Sequence, residues 1–187
     1  MGMTGLFGGA FDPPHNGHLA LAEAAIPHFG LERLLVLVVV DPGHREVELD
    51  FEMRLRLARL AFDGLERTEV LPEEHRFTVD ALRARPAEDA VFLVGADEFA
   101  GFLGWKDPDG VLAEARLGVA TRPGYPQSRL DPVLESLERP ERVEFFQIPA
   151  VPVSATEIRA RAALGEPLDG LVPEPVAREI DRLGLYR

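Results

Sequence analysis

The sequence predicts an α/β chain built on a single open parallel sheet with helices on both faces. Three observations carry that reading. Short apolar stretches alternate with amphipathic ones from end to end, the pattern of successive βαβ units. The run Leu34-Leu35-Val36-Leu37-Val38-Val39-Val40 is apolar without a break, as expected of a parallel strand covered on both sides. The Pro- and Gly-rich stretches 41–43, 122–126 and 149–152 are short and fall where strand-to-helix loops belong.

Residues 3–9 read as the first strand, followed by a helix that opens near Asn16, its expected N-cap, and ends around 27–30. Residues 34–40 supply the second strand, and Asp50 caps a helix through 62 that Gly64 closes. Residues 68–71 form a short strand and 78–84 a short helix; further strands fall at 91–95, 117–121 and 143–148. Helices at 154–164 and 175–183 complete the chain. No internal repeat, low-complexity tract or linker divides it, so one domain over 1–187 is expected.

With 46% hydrophobic and 28% charged residues, the 187-residue chain has globular composition and is long enough to bury a core without staples. The 20 Lys and Arg against 32 Asp and Glu leave a net charge of -12, which disfavours nucleic acid as a partner. An anionic small molecule remains compatible, because a few cations in a concave site suffice. Lys106 is the only lysine, so nearly all positive charge is arginine, whose planar fork suits phosphate. The absence of cysteine removes disulfides, Cys-ligated zinc and thiol nucleophiles together. No apolar run approaches the roughly 20 residues of a membrane-spanning helix. The N-terminus lacks a basic start and a long apolar segment, so a cytoplasmic location is expected. A homo-oligomer is compatible with all of this.

The most informative stretch is Gly8-Gly9-Ala10-Phe11-Asp12-Pro13-Pro14-His15-Asn16-Gly17-His18. It links a strand to a helix, the context in which backbone amides converge on an anion. Gly8 and Gly9 let a phosphate or ribose approach the main chain, the prolines stiffen the loop, and Gly17 keeps the helix mouth open. His15 and His18, three apart, can both face the positive end of the helix and donate to phosphate oxygens. Near the other end, Val153-Ser154-Ala155-Thr156-Glu157-Ile158-Arg159 contains a capping box, Ser154 with Glu157. A box does not explain Arg159, a cation in the first turns of a helix, where it opposes the macrodipole. A polyphosphate held by Ser154, Thr156 and Arg159 would reverse that sign.

The first run resembles the [TH]xGH signature of the nucleotidyltransferase superfamily, whose members are Rossmann-like, and the second resembles its I-S-[SA]-T-x-I-R run. Between them come Phe77-Thr78-Val79-Asp80-Ala81-Leu82, Gly95-Ala96-Asp97, Gly104-Trp105-Lys106 and Thr121-Arg122-Pro123-Gly124-Tyr125; Leu171-Val172-Pro173-Glu174-Pro175-Val176 and Gly184-Leu185-Tyr186-Arg187 close the chain. In that order, over essentially the whole length, they resemble the bacterial nicotinate mononucleotide adenylyltransferases. The resemblance implies that ATP is bound by Gly8, Gly9, Ala10, Phe11, His15, His18, Gly95, Asp97, Ser154, Thr156 and Arg159. It implies a mononucleotide site of Thr78, Trp105, Lys106 and Arg122, with Trp105 stacked on the nicotinate ring. His18 is implied as the main catalytic group, with His15, Arg45 and Arg159 assisting, and Mg²⁺ is implied chiefly through the ATP phosphates, with no protein metal site. One loop departs from the family pattern: in Val39-Val40-Asp41-Pro42-Gly43-His44-Arg45, Gly43 replaces a proline and Arg45 a lysine.

The implied reaction is attack of the nicotinate mononucleotide phosphate on the α-phosphorus of ATP, giving nicotinate adenine dinucleotide and pyrophosphate. Alternatives are the same transfer with the amidated mononucleotide preferred, transfer to phosphopantetheine, and a non-catalytic nucleotide sensor. A dinucleotide-dependent dehydrogenase is disfavoured because Gly8-Gly9 lacks the G-x-G-x-x-G spacing. A zinc site on His15 and His18 lacks a third ligand.

Overall fold

A computed structural model of the chain describes residues 2–43 and 46–187. Six strands, β1 (Thr4–Gly9), β2 (Arg33–Val39), β3 (Thr68–Glu73), β4 (Ala90–Gly95), β5 (Arg116–Thr121) and β6 (Val143–Gln147), form one sheet in the order β3-β2-β1-β4-β5-β6. All neighbouring pairs are parallel, as the unbroken apolar run of β2 anticipates. The strand order reverses direction between β1 and β4, which makes their carboxyl ends the topological switch point.

The pleat sends alternate residues of β2 into two separate cores: Leu34, Val36 and Val38 into one, Leu35 and Leu37 into the other. The first core is closed by α1 (Asn16–Phe29), α2 (Phe51–Phe62), α7 (Ala155–Ala163) and α8 (Glu174–Leu183), through residues such as Ala22, Leu57, Ile158 and Val176. The second is closed by α3 (Thr78–Ala84), α4 (Ala96–Ala100), α5 (Pro108–Glu114) and α6 (Asp131–Glu135), through Val79, Phe99, Val111 and Val133. Helices therefore cover both faces, as predicted.

Three differences from the sequence reading have local causes. Helices α4, α5 and α6 are too short to show a 3.6-residue period, and the sequence pattern assigns no element to these stretches. Strand β3 runs beyond 71 through Pro72 to Glu73, because an edge strand tolerates a residue that cannot donate to the ladder. The N-cap of α1 is His15 and not Asn16, whose N–H instead donates to the Leu171 carbonyl at 2.9 Å and whose side chain donates to the Gly170 carbonyl at 2.8 Å. Asn16 thus ties the start of α1 to the segment before α8.

Candidate active site

Strand β1 pairs with β2 from Thr4↔Arg33 to Gly9↔Val38, but with β4 only from Thr4↔Ala90 to Leu6↔Phe92. Beyond Leu6 the two central strands part. Gly8 and Gly9 end up on one wall of a crevice and Gly95 on the other, and a Cβ added to Gly95 would meet nothing within 4 Å. An open α/β sheet takes its ligand at such a place.

The turn at the end of β1 is built under constraint. Phe11 has φ of 51°, a left-handed conformation that a bulky residue avoids. Its buried ring is held edge-on to Phe7 (centroids 5.6 Å), Phe62 (5.9 Å) and His18 (5.0 Å). Gly9 makes room for this ring: a Cβ there would lie 3.0 Å from it. Packing the side chain inward leaves the main chain of the turn for the crevice.

His15 and His18 are not two independent caps. Their rings stack, centroids 3.7 Å apart and 22° between planes, and the His15 N–H donates to His18 Nδ1 at 3.1 Å. A ring nitrogen that accepts an N–H carries no proton, so the N–H of neutral His18 sits at Nε2. Gly17 allows the stack, since a Cβ there would come 3.1 Å from the His15 ring. His15 Nδ1 is buried and has no hydrogen-bond partner among the described residues. Burial lowers the His15 pKa to about 4, against 6.5 for a free imidazole, so the ring is neutral at physiological pH. Between those two values the unfolded chain binds a proton that the folded chain does not, so stability falls as pH drops from 6.5 towards 4. Replacing His15 by Asn is expected to remove this part of the acid sensitivity, about 2 kcal/mol between pH 7 and pH 4.5. Urea unfolding of both proteins at the two pH values measures it, and equal acid losses would contradict the assignment.

The second segment comes to the same place. Arg159, on α7, donates from Nη1 to the Asp12 carbonyl at 2.9 Å and from Nε to Glu48 Oε1 at 2.8 Å. The cation that the macrodipole disfavours is thus compensated by a carboxylate and a carbonyl. Ser154 caps α7 by accepting the Glu157 N–H at 3.2 Å, but only half of the expected box forms, because the Glu157 carboxylate pairs with Arg161 at 3.0 Å. Thr156 is exposed beside them. Asp12 itself is 4% exposed, and its carboxylate accepts the Tyr186 hydroxyl at 2.7 Å and the Glu48 N–H at 2.5 Å. Burial, reinforced by the Asp12 charge, raises the Tyr186 pKa, which keeps the phenol a donor.

On the other wall, Asp97 lies in the first turn of α4, whose N-cap is Gly95. It pairs with Arg122 at 3.2 Å and accepts the Tyr125 hydroxyl at 3.1 Å. Two residues expected on opposite substrates therefore touch, and the 122–125 loop is drawn onto β4's end. Thr78 begins α3, with Phe77 as N-cap. Trp105 is half-buried, edge-on to Phe92 (6.2 Å) and Phe102 (5.2 Å), so it is anchored in the second core. Lys106 pairs with Asp80 at 2.8 Å and lies 4.9 Å from the centre of the exposed Phe77 ring. Arg45 falls outside the described residues. Among the described residues, no group of three or more His, Cys, Asp or Glu is placed to hold a metal ion.

Residues that the sequence reading did not single out complete the site: Asp12, Glu48 and Tyr186, which knit the loops together, Phe77 beside Lys106, and Arg54. For Arg54 a signal existed, since Arg54, Leu57, Ala58 and Ala61 follow the i, i+3, i+4, i+7 spacing of a buried stripe. An arginine in such a stripe needs buried acceptors.

A nucleotide-binding α/β class is defined by this crevice and its glycine-lined turn, and the model of the cytidylyltransferase-like family matches residues 6–161. The chain is 38% identical to a Rubrobacter xylanophilus protein named "Probable nicotinate-nucleotide adenylyltransferase", over 98% of this chain and 92% of that one. It is 34% identical to the protein of that name from Moorella thermoacetica, over 100% and 92%. Plasmodium falciparum nicotinic acid mononucleotide adenylyltransferase, solved in complex with NaAD, shares the fold with a TM-score of 0.81 at 14% identity, covering 100% of this chain and 98% of that chain. The chain belongs to the cytidylyltransferase-like family and, within it, to the nicotinate-nucleotide adenylyltransferases. No helix among the described residues is long and apolar enough to cross a membrane.

Proposed function

We propose that this chain transfers the adenylyl group of ATP to nicotinate mononucleotide in the cytoplasm, a step of NAD biosynthesis. One observation carries the reading: the 2.9 Å bond from Arg159 to the Asp12 carbonyl joins two segments 147 residues apart at one end of the sheet. An oxygen of the mononucleotide phosphate forms a bond to the α-phosphorus of ATP. The bond from that phosphorus to the bridging oxygen breaks, and the electron pair leaves with pyrophosphate. The attacking phosphate is already a nucleophile at neutral pH, so the chain has to supply alignment and stabilisation of charge on the phosphate oxygens.

His18 Nε2–H is the donor to the triphosphate, held in that tautomer by the His15 amide. His15, neutral, fixes the His18 ring by stacking and assists with its single N–H. The turn Gly8-Gly9-Ala10-Phe11 offers its main chain, Gly95 and Asp97 border the adenosine, and Ser154, Thr156, Arg159 and Arg45 complete the phosphate cradle. Magnesium enters with ATP as part of the substrate, keeping its waters and using few protein ligands. Thr78, Trp105, Lys106 and Arg122 take the mononucleotide, the exposed part of Trp105 stacking on the pyridine ring.

Pyrophosphate release with ATP and nicotinate mononucleotide, its amide, or phosphopantetheine tests the reading. Turnover is expected first and fastest with the acid. Silence with all three acceptors would replace the enzyme by a nucleotide sensor. For Trp105→Ala, losing a stacked ring should raise the acceptor KM about tenfold and move the ATP KM by less than about threefold. Equal changes in the two constants, in the same assay, would remove Trp105 from the acceptor site.

A further inference from the structure

Among the described residues, the largest fully buried side chain is that of Arg54, 1% exposed. Among the same residues, its hydrogen bonds go to four main-chain carbonyls. Nη1 donates to Ala10 at 2.8 Å and to Val39 at 2.9 Å, Nη2 to Val40 at 3.1 Å and Nε to Leu49 at 3.3 Å. Ala10 follows β1 directly, and Val39 and Val40 stand at the end of β2. One guanidinium therefore spans the carboxyl ends of β1 and β2 and satisfies main-chain carbonyls there.

Burying a cation is expensive, and an apolar side chain in the same stripe of α2 would be the stable choice if packing alone were required. What an apolar residue cannot do is set the distance between two loops. The same nitrogen, Nη1, binds Ala10 and Val39 at once, and the planar fork fixes their relative orientation. A lysine ammonium is a compact point donor and cannot reach four carbonyls in that geometry. The residue after Ala10 is Phe11, held with φ of 51°, so the turn needs an external hold on each side. Aromatic packing supplies one and Arg54 the other.

We propose that Arg54 is a positioning residue for ATP: acting through the Ala10 carbonyl, its guanidinium holds the turn 9–11 in the shape that receives the triphosphate. This rests on the ATP site assigned above and adds a group that never touches the substrate. The effect is one-sided, because Arg54 grips the ends of β1 and β2 through Ala10, Val39, Val40 and Leu49, and these acceptors do not include Thr78, Trp105, Lys106 or Arg122.

Arg54→Lys is the discriminating variant, assayed with both substrates and checked for folding by circular dichroism. Its kcat/KM for ATP is expected to fall about 30-fold, with the acceptor KM within about threefold of the parent, as for loss of a group that orients one reactant. In the unaltered protein, the guanidinium NMR signals of Arg54 are expected to shift on addition of a non-hydrolysable ATP analogue and to stay in place with nicotinate mononucleotide alone. This measurement needs no variant to fold and no turnover, so it separates failure of the positioning role from failure of the transferase reading. Parent-like constants in Arg54→Lys, equal losses for both substrates, or signals that ignore the ATP analogue would each overturn the proposal.

Discussion

His18→Ala is expected to lower kcat by about 10²–10³-fold, the usual loss for one preorganised donor to a reacting oxyanion. The reason lies in how the ring is held. Its Nδ1 accepts the His15 amide, one face is stacked by His15, and Phe11 and Phe7 stand at 5.0 and 5.9 Å. A donor fixed this way costs little reorganisation when charge develops on the phosphate. Truncation leaves the aromatic cluster of Phe7, Phe11 and Phe62 in place, so the variant should remain folded. Single-turnover measurement at saturating ATP and acceptor gives the chemical step directly. A variant that keeps the parent's rate would remove His18 from the reaction.

The second large effect is expected on stability. Asp12→Ala takes away the acceptor of the Tyr186 hydroxyl and of the Glu48 N–H, both within the loop hub. Leaving these two part-buried donors without their acceptor costs about 2 kcal/mol. Tyr186→Phe removes one bond and no carboxylate, and should cost about 1 kcal/mol. The Asp12 main-chain carbonyl that accepts from Arg159 survives in Asp12→Ala, but the loop that carries it loses its hold on Tyr186 and Glu48, so activity should also fall beyond the loss of folded protein. Urea midpoints together with activity per folded molecule resolve both parts. An Asp12→Ala midpoint equal to that of Tyr186→Phe would show that the carboxylate is not the centre of this network.

The glycine and histidine run was legible because its chemistry is local: a strand, a turn without side chains and a helix start lie within eleven consecutive residues. Trp105 was legible as a residue and not as a position, since only its seat against Phe92 and Phe102 says that its base is anchored. The meeting of Asp97 with Arg122 and Tyr125 had no trace in the pattern, because the residues sit at the ends of adjacent strands and far apart in the chain. Tyr186 was visible only as part of a closing motif. Its partner Asp12 lies 174 residues away.

By itself the sequence determined the parallel sheet, the two-sided helix cover, the two signature segments and the family they imply, because periodicity and short motifs are properties of neighbouring residues. The tertiary structure alone decided the tautomer of neutral His18, the charge of His15, the compensation of Arg159, the crevice where β1 and β4 part, and the burial of Arg54 at the ends of β1 and β2. Those depend on which distant groups exclude water from one another and supply its hydrogen bonds in return, and no spacing along the chain encodes that.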